Sequence, residues 1–328
     1  MRTVATVALA ALMLGQQPPA GQGAGQATAP AQGGQGQGQG RGRGGGGFRQ
    51  PDPIDFQEHD GWTSLFDGTS LNGWAGDKFW KVEDGAITIE STCEQPTGTV
   101  YLVWQGGDAS DFELKMLMKG TGNINGGVQY RGWIAPRPQR GAPPGAAGAQ
   151  GAPGAPGARG AESAPGAAGA AGAQGAPGGR GNQGPCPSGA PRGTPPDPQT
   201  EEQWNMWGAQ YDFDAGNRFT GQFYEQSTGR GIVAWKGQVV RTEAGRNPRL
   251  LATLGDQASI DAIYKPNDWN ELHIIAVGNQ MTHLLNGRVI SILIDEDATK
   301  FHGAGRIGLE VEATGKLFTK DIWLKKLR

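Results

Sequence analysis

In the run Gln210-Tyr211-Asp212-Phe213-Asp214, two acids and an amide alternate with two aromatic rings. Residues i and i+2 of an extended strand share a face. Gln210, Asp212 and Asp214 are therefore expected together, with Tyr211 and Phe213 turned to a core. The same rule pairs Gln129 with Arg131. It groups Gln222, Tyr224 and Gln226, with Phe223 and Glu225 opposite. Amides, carboxylates and a guanidinium are the planar groups that sugar hydroxyls need, and a buried one left without a partner costs about 1–3 kcal/mol. Tyr224 or Trp235 would stack on the apolar face of a sugar. Glu225 and Arg230 flank the loop Ser227-Thr228-Gly229, where they would make either a ligand contact or a local salt bridge. The acid pair also suits general acid–base or glycosidase chemistry. Asp212 and Asp214 could place two oxygens on Ca²⁺, well short of a full shell, and no other metal or cofactor is expected. His283 precedes an Asn-Gly turn, so its alternatives are hairpin packing and proton donation. His59 and His302 read as surface residues.

The elements that must position these groups read as strands. Phe79 to Glu90 holds two short runs around Asp84-Gly85, a strong hairpin signal. Phe112, Leu114, Met116 and Met118 alternate along the next long strand. Gly278-Asn279 and Asn286-Gly287 bracket a short strand containing His283. Many short strands with regular turns and almost no helical period predict an all-β sandwich, with the ten tryptophans filling the gap between its sheets.

Of the 328 residues, 58 are glycine and 22 proline, concentrated in two tracts, so a single sizeable β domain is expected despite the length. The first twenty residues carry Arg2 and a short apolar run, Val4 to Leu14, too short to span a bilayer. They read as a secretory signal peptide. Residues 21–55 form a low-complexity linker. The folded domain spans 56–328, interrupted by a collagen-like Gly/Pro/Ala insert over 136–200. That insert is either a flexible spacer or an assembly stalk. A formal charge of −2 provides no field for nucleic acid or an anionic membrane. Export would allow Cys93 and Cys186 to pair, and two cysteines exclude an all-cysteine zinc site.

Six segments, taken in order, resemble one family: "GWTSLFDGTSLNGW", "WKVEDGAI", "DFELKMLMKGTGNINGGVQYR", "WGAQYDFDAG" with "FTGQFYEQSTGRGIVAW", "DWNELHIIAVGNQMTHLLNG" and "GRIGLEVEATGKLFTKDIWLKKL". The resemblance is to the 3-keto-disaccharide hydrolase domain, and it runs from about Asp60 to Arg328 outside the insert. It implies a concanavalin-A-like jelly roll, a periplasmic or secreted location, and action on carbohydrate. The implied reaction is elimination of an aglycone from a 3-keto-glycoside, followed by hydration of the glucal. Asp212 or Asp214 would take the C2 proton. Arg131, or a cation on the two aspartates, would hold the enolate oxygen, and His283 or Tyr224 would protonate the leaving oxygen. The family often carries Gln and His where this chain has Glu310 and Glu312. A non-catalytic, lectin-like sugar-binding module is the alternative.

Overall fold

The computed structural model describes Asp52, residues 55–135, Cys186 and residues 204–327. Residues 1–20, read as a signal peptide, most of the expected linker and the expected insert apart from Cys186 lie outside the described residues. Seventeen strands, numbered in chain order, make two sheets. The larger sheet runs β12 (Arg249–Thr253), β11 (Gln238–Glu243), β15 (Arg288–Glu296), β14 (Gln280–Leu285), β13 (Asn270–Val277), β6 (Phe112–Gly122), β17 (Gly315–Lys326), β4 (Ala86–Ser91) and β3 (Lys81–Glu83). The short β1 (Thr63–Ser64) pairs with β17. The smaller sheet runs β10 (Gly231–Ala234), β9 (Phe223–Gln226), β8 (Met206–Asp214), β7 (Asn125–Ile134), β16 (Arg306–Glu312), β5 (Val100–Trp104) and β2 (Trp74–Ala75). One short α-helix lies among the described residues, α1 (Gln257–Asp261), capped by Asp256, whose carboxylate accepts from the Ser259 N–H.

The architecture is the expected concanavalin-A-like jelly-roll sandwich. Alternation drives it: Phe112, Leu114, Met116 and Met118 of β6 are all buried, and they share one core with Val128, Tyr211, Phe213 and Leu309 of the facing sheet. The turns form where the sequence places them. Asp84 and Gly85 both take positive φ, 50° and 72°, as a two-residue hairpin requires. Asn286 and Gly287 do the same at 49° and 75°, between β14 and β15. The tryptophans differ from expectation. Trp74 and Trp80 are buried in the core, whereas the other eight are half-buried or exposed. The gap between the sheets is filled by aliphatic, Tyr, Phe and Met side chains instead.

Cys93, in the loop between β4 and β5, is bonded to Cys186, with Cα atoms 5.8 Å apart across 93 residues of sequence. No helix among the described residues is long and apolar enough to cross a membrane. A cross-link closing so long a loop removes much unfolded-state entropy, typically about 2–4 kcal/mol. Cys93→Ser, or reduction of the wild type, should lower the unfolding free energy from urea titration by that amount, and an unchanged free energy would show that the bond constrains nothing.

Candidate functional site

Antiparallel register lays the polar residues in rows across the smaller sheet, on its face away from the core. In the first row, Gln129 of β7 lies opposite Gln210 of β8, which lies opposite Tyr224 of β9. In the second, Tyr101 of β5, Glu310 of β16, Gly127 of β7 and Asp212 of β8 follow one another. In the third, Glu312 and Asp214 flank Asn125. Alternation explains the arrangement: Ile307, Leu309 and Val311 face the core from β16, so Glu310 and Glu312 face away. Gly127 sits between two acids because no larger residue fits there. A Cβ would lie 2.3 Å from the Tyr211 carbonyl oxygen and 2.8 Å from Gln210 Nε2.

Side-chain amides tie the rows together. Gln129 Nε2 donates to Gln210 Oε1 at 2.9 Å, and Gln210 Nε2 donates to Glu310. Gln226 Nε2 donates to Tyr101 Oη at 2.9 Å and to Glu310 Oε1 at 3.1 Å. Gln222 Nε2 donates to Asp212, and Asn125 Nδ2 donates to Glu312 at 2.7 Å. After these bonds, the side-chain oxygens of Asn125, Gln129 and Gln222 are buried with no partner.

Burial raises Glu310 well above the usual carboxylate range, helped by the nearby charges of Glu312 and Asp212. Burial likewise lifts Asp212 well above its ordinary value, against the bond from Gln222 and with Glu312 and Asp214 adding to the shift. Glu312 is raised chiefly by burial. The Tyr224 phenol is pushed up by burial and by the same three acids, so it stays protonated.

Of the groups expected to act, Gln129, Gln210, Asp212 and Tyr224 come together here. The others are elsewhere or, like Asp214 in the third row, held by bonds of their own. A register irregularity between Gln129 and Trp133 and a positive φ of 49° turn Arg131 away from Gln129. Its guanidinium is buried against the Ser110 and Gly278 carbonyls at 2.7–2.9 Å, near Asp111, so it braces loops rather than meeting a sugar. His283 lies in the core, on the opposite side of the sheet. The Tyr130 hydroxyl donates to its Nε2 at 2.7 Å and its Nδ1–H donates to the Gly221 carbonyl, while burial holds it neutral with a pKa lowered to about 3. Its role is packing.

Asp214 closes the β8–β9 turn by accepting from the Arg218 and Phe219 N–H groups at 3.1 and 2.7 Å. Both of its carboxylate oxygens are engaged there, and no metal-holding group of three or more acids, histidines or cysteines occurs among the described residues. Glu225 and Arg230 form the salt bridge, at 2.7 Å, and Asp295 joins it at 2.7 Å. Trp235 is 41% exposed beyond β10, tilted against Phe219 at 6.5 Å, and no hydrogen bond or ring contact ties it to the rows among the described residues. A water-sized cavity near Arg131, Phe223 and Asp295 lies apart from the polar rows.

Glu310 and Glu312 are the site residues that the reading of candidate groups passed over. Their two-residue spacing opposite three apolar residues carries the same signal that singled out Asp212.

A family model described as the 3-keto-alpha-glucoside-1,2-lyase-like domain matches residues 61–153 and 187–325. Among curated proteins, none matches. Solved structures similar to the chain include a protein of Parabacteroides distasonis provisionally assigned as a glycosyl hydrolase (13% identity, 82% of this chain and 95% of that one, TM-score 0.42). Others are the carbohydrate-binding module CBM66 of Bacillus subtilis (12%, 81% and 95%, 0.36) and a Bacillus subtilis protein of unknown function with a galectin-like fold (10%, 78% and 90%, 0.41).

A carboxyl raised by folding binds its proton more tightly folded than unfolded. Its favourable contribution is complete below the unfolded pKa and is lost as pH climbs through the folded one. Each unit of upward shift costs about 1.4 kcal/mol once the group is ionised. Glu310→Gln should therefore be more stable than wild type at alkaline pH by about that much or more, with the gap closing toward pH 4 in urea titrations. A gap that is constant with pH would contradict the buried, raised carboxyl.

Proposed function

We propose, from the premise that this chain belongs to the 3-keto-alpha-glucoside-1,2-lyase-like family, that the polar rows bind a 3-keto-glycoside and eliminate its aglycone. The family is carbohydrate-active; the lyase step and the residue roles are our reading. The observation that carries it is the convergence of three raised acids, a protonated phenol and unpartnered amide oxygens on one face. Asp212 is the base. In its ionised form, its raised pKa makes it a stronger proton acceptor than an ordinary aspartate. It takes the C2 proton, acidified by the neighbouring C3 ketone. The electron pair moves toward the ketone oxygen, where amide N–H groups of Gln129 and Gln210 are available as donors. As the pair returns, the C1–O bond breaks and Tyr224 supplies a proton to the leaving oxygen. Addition of water across the resulting C1=C2 bond gives the free 3-keto sugar. The signal peptide expected over residues 1–20 would deliver the protein to the periplasm or beyond, where glycosides are met.

A sugar-binding module without turnover is the second reading. It is favoured by one observation: Arg131 and His283 are both turned into the interior, leaving no arginine or histidine on the rows among the described residues.

The experiment is release of p-nitrophenol from its 3-keto-glucoside by purified protein. Asp212→Asn should lower kcat by roughly 10²–10⁴-fold. In the wild type, kcat/KM should rise with pH through a value well above that of an ordinary aspartate, because the base works only when deprotonated. Sugar binding with no release would favour the second reading, and turnover unaltered in Asp212→Asn would remove Asp212 from the mechanism.

A further inference from the structure

Asp212, Glu310 and Glu312 share one face, and no lysine, arginine or histidine pairs with any of them among the described residues. Among the described residues their hydrogen-bond partners are neutral donors: Gln222 for Asp212; Gln210, Gln226 and Tyr101 for Glu310; Asn125 and Thr99 for Glu312. A second observation is independent of the acids. Gln129 and Gln222 are at most 1% exposed, yet the carbonyl oxygen of each lacks a hydrogen-bond donor. Buried acceptors of this kind are costly unless a ligand supplies the missing hydrogen. Among the described residues the face therefore holds more acceptors than donors, and no positive charge.

We propose that this site selects its sugar by charge, taking glycosides whose substituents are neutral or ammonium-bearing and rejecting those that carry a carboxylate. The inference rests on the reading of the rows as a glycoside site and adds the class of sugar. Hydroxyl and ammonium hydrogens satisfy the orphaned amide oxygens and the free lone pairs of the acids. A uronate offers only more acceptors there, and once the acids are ionised, as Asp212 must be to act as a base, its charge lies within about a Debye length, roughly 8 Å, of carboxylates with no cation beside them among the described residues. Within a face this dry the repulsion is poorly screened.

The test uses three p-nitrophenyl 3-keto-glycosides identical except at C6, which carries a hydroxymethyl, an aminomethyl or a carboxylate group. Turnover is read from the released phenol, and affinity from calorimetry on the full chain. The carboxylate compound should be at least about tenfold poorer than the hydroxymethyl compound in kcat/KM and in Kd, and the aminomethyl compound equal or better. Glu312→Gln, and separately Glu310→Gln, should shrink the penalty on the carboxylate, each with a cooperative thermal transition no lower than that of the wild type. Two separate isosteric changes guard against one of them failing to fold. Release from the hydroxymethyl and carboxylate compounds within twofold of each other overturns charge selection and leaves the lyase reading standing. Binding in the expected order without release overturns the lyase step and supports the selection. Binding of none of the three overturns both.

Discussion

One side-chain amide joins three strands. Gln210, on β8, accepts from Gln129 on β7 and donates to Glu310 on β16, so a single planar group spans the centre of the smaller sheet. The bond is possible only because alternation puts all three residues on the same side, while Tyr211, Val128 and Leu309 hold the other. Breaking it would strand buried donors and acceptors at about 1–3 kcal/mol each. The geometry of the rows is thus bound to the stability of the sheet that carries them.

The same economy explains why the acids are where they are. Three carboxyls gathered on a buried face with only neutral partners are a burden on folding at neutral pH, and nothing in the core requires them. The interior solves its own polar problems differently. Arg131 is met by carbonyl oxygens, Arg230 by Glu225 and Asp295, and His283 is kept neutral between Tyr130 and the Gly221 carbonyl. Where the fold needs a charge it compensates it, so the uncompensated face is one that packing alone does not account for.

Much of this was legible in the residues. Period-two alternation put Tyr211 and Phe213 in the core, gathered Gln210 with Asp212, and grouped Gln222, Tyr224 and Gln226 correctly. Asp-Gly and Asn-Gly pairs marked their hairpins. Alternation failed at Arg131 because it assumes unbroken register, and the irregularity in β7 reverses the side chain without leaving a mark in the sequence. It could not place His283, whose strand belongs to the other sheet, because the pattern within one strand says nothing about which sheet lies across the core. Asp214 obeyed the pattern and sits in the third row, but a turn that needs its backbone N–H groups satisfied claims its oxygens first.

The Cys93–Cys186 bond joins the segment that ends with β7 to the segment that begins with β8, and each segment supplies strands to both sheets. A protease that nicks the backbone anywhere between 136 and 185 would leave two fragments still covalently attached. They would migrate as one species until a reductant separates them. In that sense the fold is already a two-piece object with a permanent clasp, so selection can lengthen, shorten or rewrite the intervening tract without dissociating the halves.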